Sequence, residues 1–267
     1  MRLAEIIAKF ESYWPSSSAD DWDRVGLAVG SPQADVQRVL VAVDLTQRVI
    51  EEAVQKSCEL ILTHHPVLLR GVTSLAEDEL KGSLITNLIK SGRALFTAHT
   101  NADVQVDGAS TEMALAFGLT NLKPIVADPS GFGHGVIGDL PAAMTLSDFA
   151  KEVSKSLPEV TRKVAFAGSA QKVIEKVAIC SGAGDSFLPQ VLASEADVYV
   201  TSDLRHHVTL DALEAPRANG PLALIDVSHW AAESLWVTSA LRRLAEIDSL
   251  EAIESDVVTD PWTEEVA

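Results

Sequence analysis

Short runs of apolar residues at two different spacings divide the chain into strands that alternate with helices. Continuous apolar runs predict strands that are covered on both faces, and they lie at 39–44, 60–62, 94–98, 177–180, 196–201 and 222–226. Apolar residues at helical spacing predict helices, at 3–14, 46–57, 77–91, 110–117, 146–156 and 185–192, with a long final helix that begins near 229. This alternation predicts an α/β fold built on parallel strands.

A change in composition near residue 125 marks a boundary between two lobes. The stretch from 124 to 138 is rich in glycine and proline, which is typical of a break between elements. Within it, Gly131 to Gly138 is interpreted as a strand with close backbone approaches, in which His134 is either packed or functional. The acidic segment that begins at Leu244 is expected to be a solvated or frayed end.

Polar side chains follow the predicted strands of the first lobe at one edge of the sheet. His64 and His65 follow the strand at 60–62, Asp44 ends the strand before it, and His99 follows the strand after it. Open α/β sheets bind ligands at this edge, and imidazoles there are candidate metal ligands or acid–base groups. Adjacent residues of an extended strand point to opposite sides, so the histidine pair suits two metals, or one metal where the backbone bends. Two hydrogen-bonded loop histidines are the alternative.

The second lobe places similar side chains after its strands. His206 and His207 again follow a strand, which suggests that the two halves are related α/β units. His229 and Glu233 are four residues apart at the start of the final helix and share one helical face. That spacing suits chelation of one metal or bridging of two, and a solvated Glu233 is the alternative. Imidazole with carboxylate and no thiolate suits Zn, Fe, Mn, Co or Ni, and a carboxylate-bridged pair of metals is the economical arrangement.

A glycine turn follows the strand at 177–180 and precedes a predicted helix. It contains Gly182 and Gly184, and a strand, turn and helix of this kind can cradle a phosphate. A dinucleotide fingerprint needs a third glycine, however, and Asp185 at the helix N-terminus would oppose an anion. Tight packing of the two glycines is therefore favoured over phosphate binding.

An acidic cluster lies ahead of the first strand. Asp20 and Asp21 are expected in a solvated loop or helix cap. Asp23 is less easily explained in this way, because it follows Trp22, which we expect to be buried.

Composition limits the classes of partner. The 267-residue chain has a formal net charge of −17, and such a field repels nucleic-acid phosphates and anionic membranes. We therefore expect no nucleic acid and no membrane as a partner, although a metal-holding pocket could take an anionic small molecule. Cys58 and Cys180 lack CxxC spacing and are predicted to be buried thiols. The chain shows neither a signal-peptide pattern nor an apolar run of membrane-spanning length, so we expect a cytoplasmic protein.

Several motifs together carry a resemblance to a known family. They are Thr-His-His-Pro at 63–66, His-Thr-Asn-Ala-Asp at 99–103, Ser-Asp-Leu-Arg-His-His at 202–207, Asp-Val-Ser-His-Trp-Ala-Ala-Glu at 226–233 and Trp-Asp-Arg-Val-Gly-Leu at 22–27. The chain resembles the dinuclear-metal-centre hexameric family, known as GTP cyclohydrolase 1 type 2 homologues or interacting-factor-3-like proteins. The similarity spans essentially the whole chain. Arg24 and Ser202 depart from the family pattern, which usually has Asn and Gly there.

The resemblance implies a fold, an assembly and a ligand set. The fold is two related α/β lobes with mixed, largely parallel sheets, helices covering the faces and the last helix packing back on the first lobe. The lobes are 1–125 and 126–225, and 226–267 returns to complete the first. The resemblance also implies a homohexamer of the short type, without the additional domain of longer members. The implied ligands of two divalent metal ions per chain are His64, His65, Asp103, His229 and Glu233, with Glu233 as the bridging carboxylate.

Two classes of function are consistent with these features. The first is a metal-dependent hydrolase in which metal-activated water attacks a nucleotide, such as GTP, or a related small molecule. His99, His206 or His207 would then shuttle protons, and Arg205 or Arg70 would hold phosphate. Orientation of the ligand histidines is the competing role for His99 and Asp44. The second class is a non-catalytic protein for metal storage or delivery, or a hexameric scaffold.

Overall fold

The chain forms two compact units in the computed structural model, which describes residues 1–129, 132–264 and 266. Unit 1 comprises Met1–Ala102 and Val237–Thr259, and unit 2 comprises Asp103–Trp236 and Asp260–Ala267. Both units are thus built from two separate stretches of the chain. The divisions follow Ala102, Trp236 and Thr259, whereas composition and resemblance placed the lobe boundaries after residues 125 and 225.

Strands and helices alternate along most of the chain. The strands are β1 (Gly26–Val29), β2 (Arg38–Ala42), β3 (Leu60–Thr63), β4 (Ala94–Thr97), β5 (Thr120–Ala127), β6 (Gly133–Thr145), β7 (Ala165–Ala167), β8 (Val173–Ala183), β9 (Val198–Ser202), β10 (Ala223–Val227) and β11 (Glu251–Glu254). The helices are α1 (Leu3–Tyr13), α2 (Gln47–Gln55), α3 (Leu80–Ser91), α4 (Thr100–Asp103), α5 (Ala109–Ala116), α6 (Leu146–Ser156), α7 (Leu188–Ala193), α8 (His206–Glu214) and α9 (His229–Leu244).

Unit 1 is a five-stranded sheet in the order β1-β4-β3-β2-β11. The four strands from β4 to β11 are parallel, and β1 is antiparallel to β4. Leu95 packs on one face with apolar residues of α2 and α3. The ring of Phe96 lies 4.9 Å from that of Phe10 of α1 on the other face. Burial on both faces explains why β2, β3 and β4 are continuously apolar.

Unit 2 is a six-stranded sheet in the order β5-β6-β8-β9-β10-β7. Its central strands β8, β9 and β10 are parallel, and the outer strands pair antiparallel. Val198 and Val200 of β9 belong to the core shared with α5 and α6. Tyr199 belongs to the opposite core, with residues of α7 and α8. The predicted α/β fold with mixed, largely parallel sheets and covering helices is confirmed.

The C-terminal part of the chain is more ordered than its charge suggested. The second half of α9 and all of β11 lie within Val237–Thr259 and belong to unit 1, as expected for a last helix that returns to the first lobe, whereas the first half of α9 and the residues after Thr259 belong to unit 2. The expectation of a frayed end after Leu244 is wrong, because β11 pairs in parallel with β2. Glu52 of α2 accepts hydrogen bonds from the Ser255 hydroxyl and, at 2.8 Å, from the Asp256 amide. These contacts fix a segment that is too acidic to look structured in the sequence.

The glycine-rich stretch around residue 131 is partly described. Gly131, where the predicted strand begins, lies outside the described residues, and β6 begins at Gly133. A Cβ on Gly133 would lie 2.2 Å from the Val126 carbonyl oxygen, so a close backbone approach is present. His134 stacks on Phe187 with ring centroids 5.7 Å apart, which favours packing over function for this residue.

Candidate metal centre

Unit 1 brings three imidazoles together at the C-terminal edge of its parallel strands. His64 and His65 follow β3, and His99 follows β4, its neighbour in the sheet. One ring nitrogen from each histidine lies within 4.8 Å of the others, and the three ring centroids are 5.2 to 5.5 Å apart. His64 is fully buried, whereas the side chain of His65 is one-quarter exposed. The predicted meeting of these side chains at one edge is confirmed.

Each of these rings has its Nδ1 held by an oxygen atom. His64 Nδ1 lies 3.0 Å from the Ala98 carbonyl oxygen, His65 Nδ1 2.8 Å from Asp44, and His99 Nδ1 2.9 Å from Asp23. A carbonyl oxygen only accepts, so His64 carries its hydrogen on Nδ1, and a neutral ring then has its lone pair on Nε2. Metal-binding histidines almost always show this arrangement, with Nδ1 donating to a carbonyl or carboxylate. The geometry therefore fits metal coordination through Nε2.

The carboxylate of Asp23 is buried and fully engaged. It accepts from His99 Nδ1, from the Thr100 amide at 3.1 Å and from the Thr100 hydroxyl at 2.5 Å. Burial alone would raise the pKa of Asp23, but the hydrogen bonds from His99 and Thr100 outweigh it and hold that pKa well below its usual range. Asp23 therefore stays ionised and fixes the orientation of the His99 ring.

Trp22, next to Asp23, is not buried as expected. Its side chain is 54% exposed, and its ring lies edge-on to the His99 ring with centroids 5.9 Å apart. The indole covers one side of His99 and leaves the rest of its own surface in solvent.

Asp44 is held on both oxygens. Oδ1 contacts His65, and Oδ2 accepts a 2.6 Å hydrogen bond from the Thr259 hydroxyl. The C-terminal segment of unit 1 thus fixes the carboxylate that orients His65. The role of Asp44 in orienting a histidine is present in the geometry, whereas Thr259 has no signal in the sequence that could have predicted it.

Unit 2 contains a second group of donors on the first turns of α9. His229 Nε2 lies 3.0 Å from Glu233 Oε1, and His229 Nδ1 lies 2.6 Å from Asp203 Oδ2. The hydrogen bond from His229 is the main cause that lowers the pKa of Asp203. Glu233 is only 5% exposed, so the interpretation of this residue as a solvated charge is wrong. A buried carboxylate beside an oriented imidazole suits a divalent cation.

Asp103 lies in the same unit, at the end of α4. The pKa of the Cys180 thiol is raised to about 12, chiefly by burial and in smaller part by the negative charges of Asp103 and Glu233. Both carboxylates therefore act on one buried thiol. Cys58 and Cys180 are free and buried, as predicted.

The family model described as Duf34/NIF3 (NGG1p interacting factor 3) matches residues 1–261. This chain belongs to the Duf34/NIF3 family. A relative from Streptomyces coelicolor, named GTP cyclohydrolase 1 type 2 homolog, is 39% identical over 100% of this chain and 95% of its own length. A relative of the same name from Mycobacterium bovis is 30% identical over 98% of this chain and 97% of its own length. The aligned length there is 372 residues, so that relative carries internal residues that this chain lacks.

Solved structures show the same Duf34/NIF3 fold. A hypothetical protein of Staphylococcus aureus, 29% identical, matches with a TM-score of 0.87 over 99% of both chains. A Bacillus cereus protein related to NIF3, 24% identical, also gives 0.87, over 97% of this chain and 98% of its own. These comparisons confirm the family resemblance and the fold.

The remaining predicted residues are placed as follows. His206 and His207 are exposed at the start of α8, with their rings 5.1 Å apart, and their role as proton shuttles stays a prediction. Arg205 forms an ion pair with Asp185, and Arg70 is exposed. The tight-packing interpretation of the glycine turn holds at Gly184, where a Cβ would lie 2.2 Å from the Tyr199 hydroxyl.

Within the described residues, no helix is long and apolar enough to cross a membrane. The candidate donors are imidazole nitrogens and carboxylate oxygens, and this donor set suits Zn, Fe, Mn, Co or Ni.

Proposed function

We propose that this Duf34/NIF3 chain is a metal-dependent hydrolase. The observation that carries the proposal is the group of three imidazoles in unit 1, each oriented through Nδ1 by an oxygen acceptor. The name of the Streptomyces coelicolor relative, GTP cyclohydrolase 1 type 2 homolog, supports it. The proposed ligands of two divalent ions per chain are the five that the sequence motifs indicate, namely His64, His65, Asp103, His229 and Glu233, with Glu233 bridging.

Different histidines of this chain would bind the metal and transfer protons. Divalent ions, when bound, supply Lewis acidity that activates water near neutral pH. His64 and His65 enter coordination with their rings already fixed, so little side-chain entropy is lost. His99 is held at Nδ1 by an ionised Asp23, which suits it to accept and release a proton at Nε2. The substrate class is a nucleotide such as GTP, or a related anionic small molecule.

Metal content is the first test. Elemental analysis of protein purified without chelators should find close to two divalent ions per wild-type chain. The His64→Ala/His65→Ala variant should lose metal. The His206→Ala/His207→Ala variant is the matched control, because it removes another adjacent pair of histidines that is exposed, and it should keep its metal. Absence of metal from wild type, even after reconstitution with Zn, Fe or Mn, would sink the proposal.

Turnover is the second test. Metal-loaded wild-type protein should convert GTP or a simple phosphoester with saturable kinetics that follow metal occupancy, and Glu233→Ala should not. Full metal occupancy without turnover above the Glu233→Ala background would favour metal storage or delivery, or a scaffold role.

We also propose a homohexamer, supported by the sequence motifs that resemble the hexameric family. Light scattering on the native protein should give a mass six times that of one chain. A monomer or dimer at micromolar concentration would contradict this assembly.

A further inference from the structure

The carboxylate of Glu233 occupies the space where a side chain would begin on Gly182. A Cβ built on Gly182 would lie 2.2 Å from Glu233 Oε1, 3.2 Å from Glu233 Cδ and 3.3 Å from His229 Nε2. Real Cβ atoms do not approach other atoms as closely as the first of these distances. Any residue other than glycine would therefore displace the carboxylate or move the backbone of β8.

Hydrogen bonds hold the backbone around Gly182 in place. The Gly182 carbonyl oxygen accepts a 2.9 Å hydrogen bond from the Thr201 hydroxyl. The amide of the preceding Ser181 donates to the Ser110 hydroxyl at 3.0 Å. The β8–β9 register shifts between Ile179 and Ala183, and ladder irregularities of this kind often re-aim groups next to functional sites. The Glu233 side chain is therefore the part that would give way.

Two separate reasons favour glycine at position 182, namely the backbone conformation and the close approach of Glu233, and a second glycine of this chain has only the first. Gly182 has φ +73°, a left-handed conformation that favours glycine by itself. Gly118, also in unit 2, has φ +74°, and a Cβ there would meet nothing within 4 Å. The two glycines share the same backbone requirement, and only Gly182 has a carboxylate against it.

We propose that Gly182 is a positioning residue for the candidate metal ligands of unit 2. The absence of a Cβ at this position lets the Glu233 carboxylate lie beside His229 Nε2, where both can serve one cation. This inference rests on the proposed metal binding. It assigns to the glycine turn a role in ligand placement that differs from phosphate binding.

The test compares Gly182→Ala with Gly118→Ala. Both substitutions place an alanine at nearly the same positive φ, so the thermal shift of Gly118→Ala measures the cost of the backbone conformation, and Gly182→Ala should add the cost of the clash with Glu233. Competition with a chromogenic chelator should show that Gly182→Ala raises the metal dissociation constant by about 10-fold or more, the effect typical of disturbing the surroundings of a metal ligand. Gly118→Ala should bind metal like wild type.

A shorter carboxylate separates positioning from general damage to the fold. Glu233→Asp withdraws the carboxylate by one methylene and should weaken metal binding in the wild-type background. Combined with Gly182→Ala, the same substitution should cost less or restore affinity, since the clash is relieved. The coupling in this double-mutant cycle is a readout that a merely structural role for Gly182 would not produce.

The outcomes distinguish this inference from the proposed function. Wild type without metal would end both. Wild type with metal and Gly182→Ala with unchanged affinity would overturn the positioning role alone. Strictly additive effects of Gly182→Ala and Glu233→Asp would also overturn it.

Discussion

Asp23 shows how one buried carboxylate prepares a neighbouring histidine. Its oxygens accept hydrogen bonds from the His99 ring and from the amide and hydroxyl of Thr100. Asp44 and Asp203 do the same for His65 and His229. The fold itself fixes the orientation of these rings, so binding does not have to offset the entropy lost by ordering them.

Replacing Asp23 by Asn should reduce stability at neutral pH. The amide NH₂ of asparagine would face the hydrogen-bond donors of His99 and Thr100. Because a charged acceptor is lost, we expect the free energy of unfolding to fall by about 1.5–3 kcal/mol. Because the folded pKa of Asp23 is depressed, its contribution is complete above the usual carboxyl pKa and declines as pH falls toward the folded pKa. Urea unfolding should therefore show a gap between wild type and variant that narrows below about pH 4.

The control for this substitution is Asp21→Asn, which removes the same charge from an exposed loop position. It should leave the free energy of unfolding nearly unchanged. Equal losses in the two variants would mean that charge, and not the hydrogen bonds to Asp23, sets the effect.

The role of His99 can be tested by replacing it with Gln. A proton carrier should keep metal content near the wild-type value while turnover falls by about 100-fold or more. His134, whose ring stacks on Phe187, provides the comparison. His134→Gln should change neither metal content nor turnover. Loss of metal from His99→Gln would instead make His99 a ligand.

At the scale of elements, α2 and the C-terminal segment depend on one carboxylate. Glu52 of α2 pairs with Lys56 at 2.7 Å and accepts from Ser255 and Asp256. Burial opposes its ionised form, but hydrogen bonds from Lys56, Ser255 and the Asp256 amide outweigh this and lower its pKa. These contacts hold the chain just after β11.

Replacing Glu52 by Ala should lower the free energy of unfolding by about 2 kcal/mol, because several hydrogen bonds to a charged group are lost together. Glu51→Ala is matched in chemistry and helix, but Glu51 is exposed and accepts only from Gln47 among the contacts described. Its cost should stay within about 0.5 kcal/mol. Limited proteolysis should cut the Glu52 variant near residue 255 sooner than wild type; equal cleavage rates would contradict the anchoring role.

Local signals account for the elements that the sequence predicted well. Helix α6 begins and ends where expected, since Thr145 caps it by accepting from the Asp148 amide and its apolar positions repeat at helical spacing. Strand β11 was missed because it lies at a sheet edge, with only Ala252 and Ile253 between exposed glutamates. An edge strand of this composition has no periodicity that distinguishes it from a solvated tail.

The candidate site also contains some features that the sequence predicts and others that it does not. The sequence could predict that the histidines of unit 1 lie together, because parallel strands end at one edge of a sheet regardless of the conformation of the connecting loops. The Thr259–Asp44 hydrogen bond joins residues 215 positions apart, and the Glu233 carboxylate occupies space that a Cβ on Gly182 would need. Contacts of these kinds follow from tertiary packing and leave no pattern in the sequence.

For the whole molecule, the net charge of −17 is the dominant electrostatic feature. Self-repulsion of this size destabilises a compact chain, and salt screens it. Adding about 0.2 M KCl at pH 7.5 should raise Tm by a few degrees. Near the sequence pI of 4.7 the net charge is small, so the same addition should change Tm little; a Tm that falls with salt at pH 7.5 would contradict this account.

The placement of β11 also bears on the order in which the protein is made. Its partner β2 leaves the ribosome early, but β11 follows only after residues 103–236, which build the sheet of unit 2. Unit 2 can thus complete its sheet during translation. The outer edge of β2 stays unpaired while more than 200 further residues are synthesised. Unpaired strand edges are sites of mispairing between nascent chains. Slow synthesis between β2 and β11 would lengthen that exposure, which ends when β11 pairs with β2.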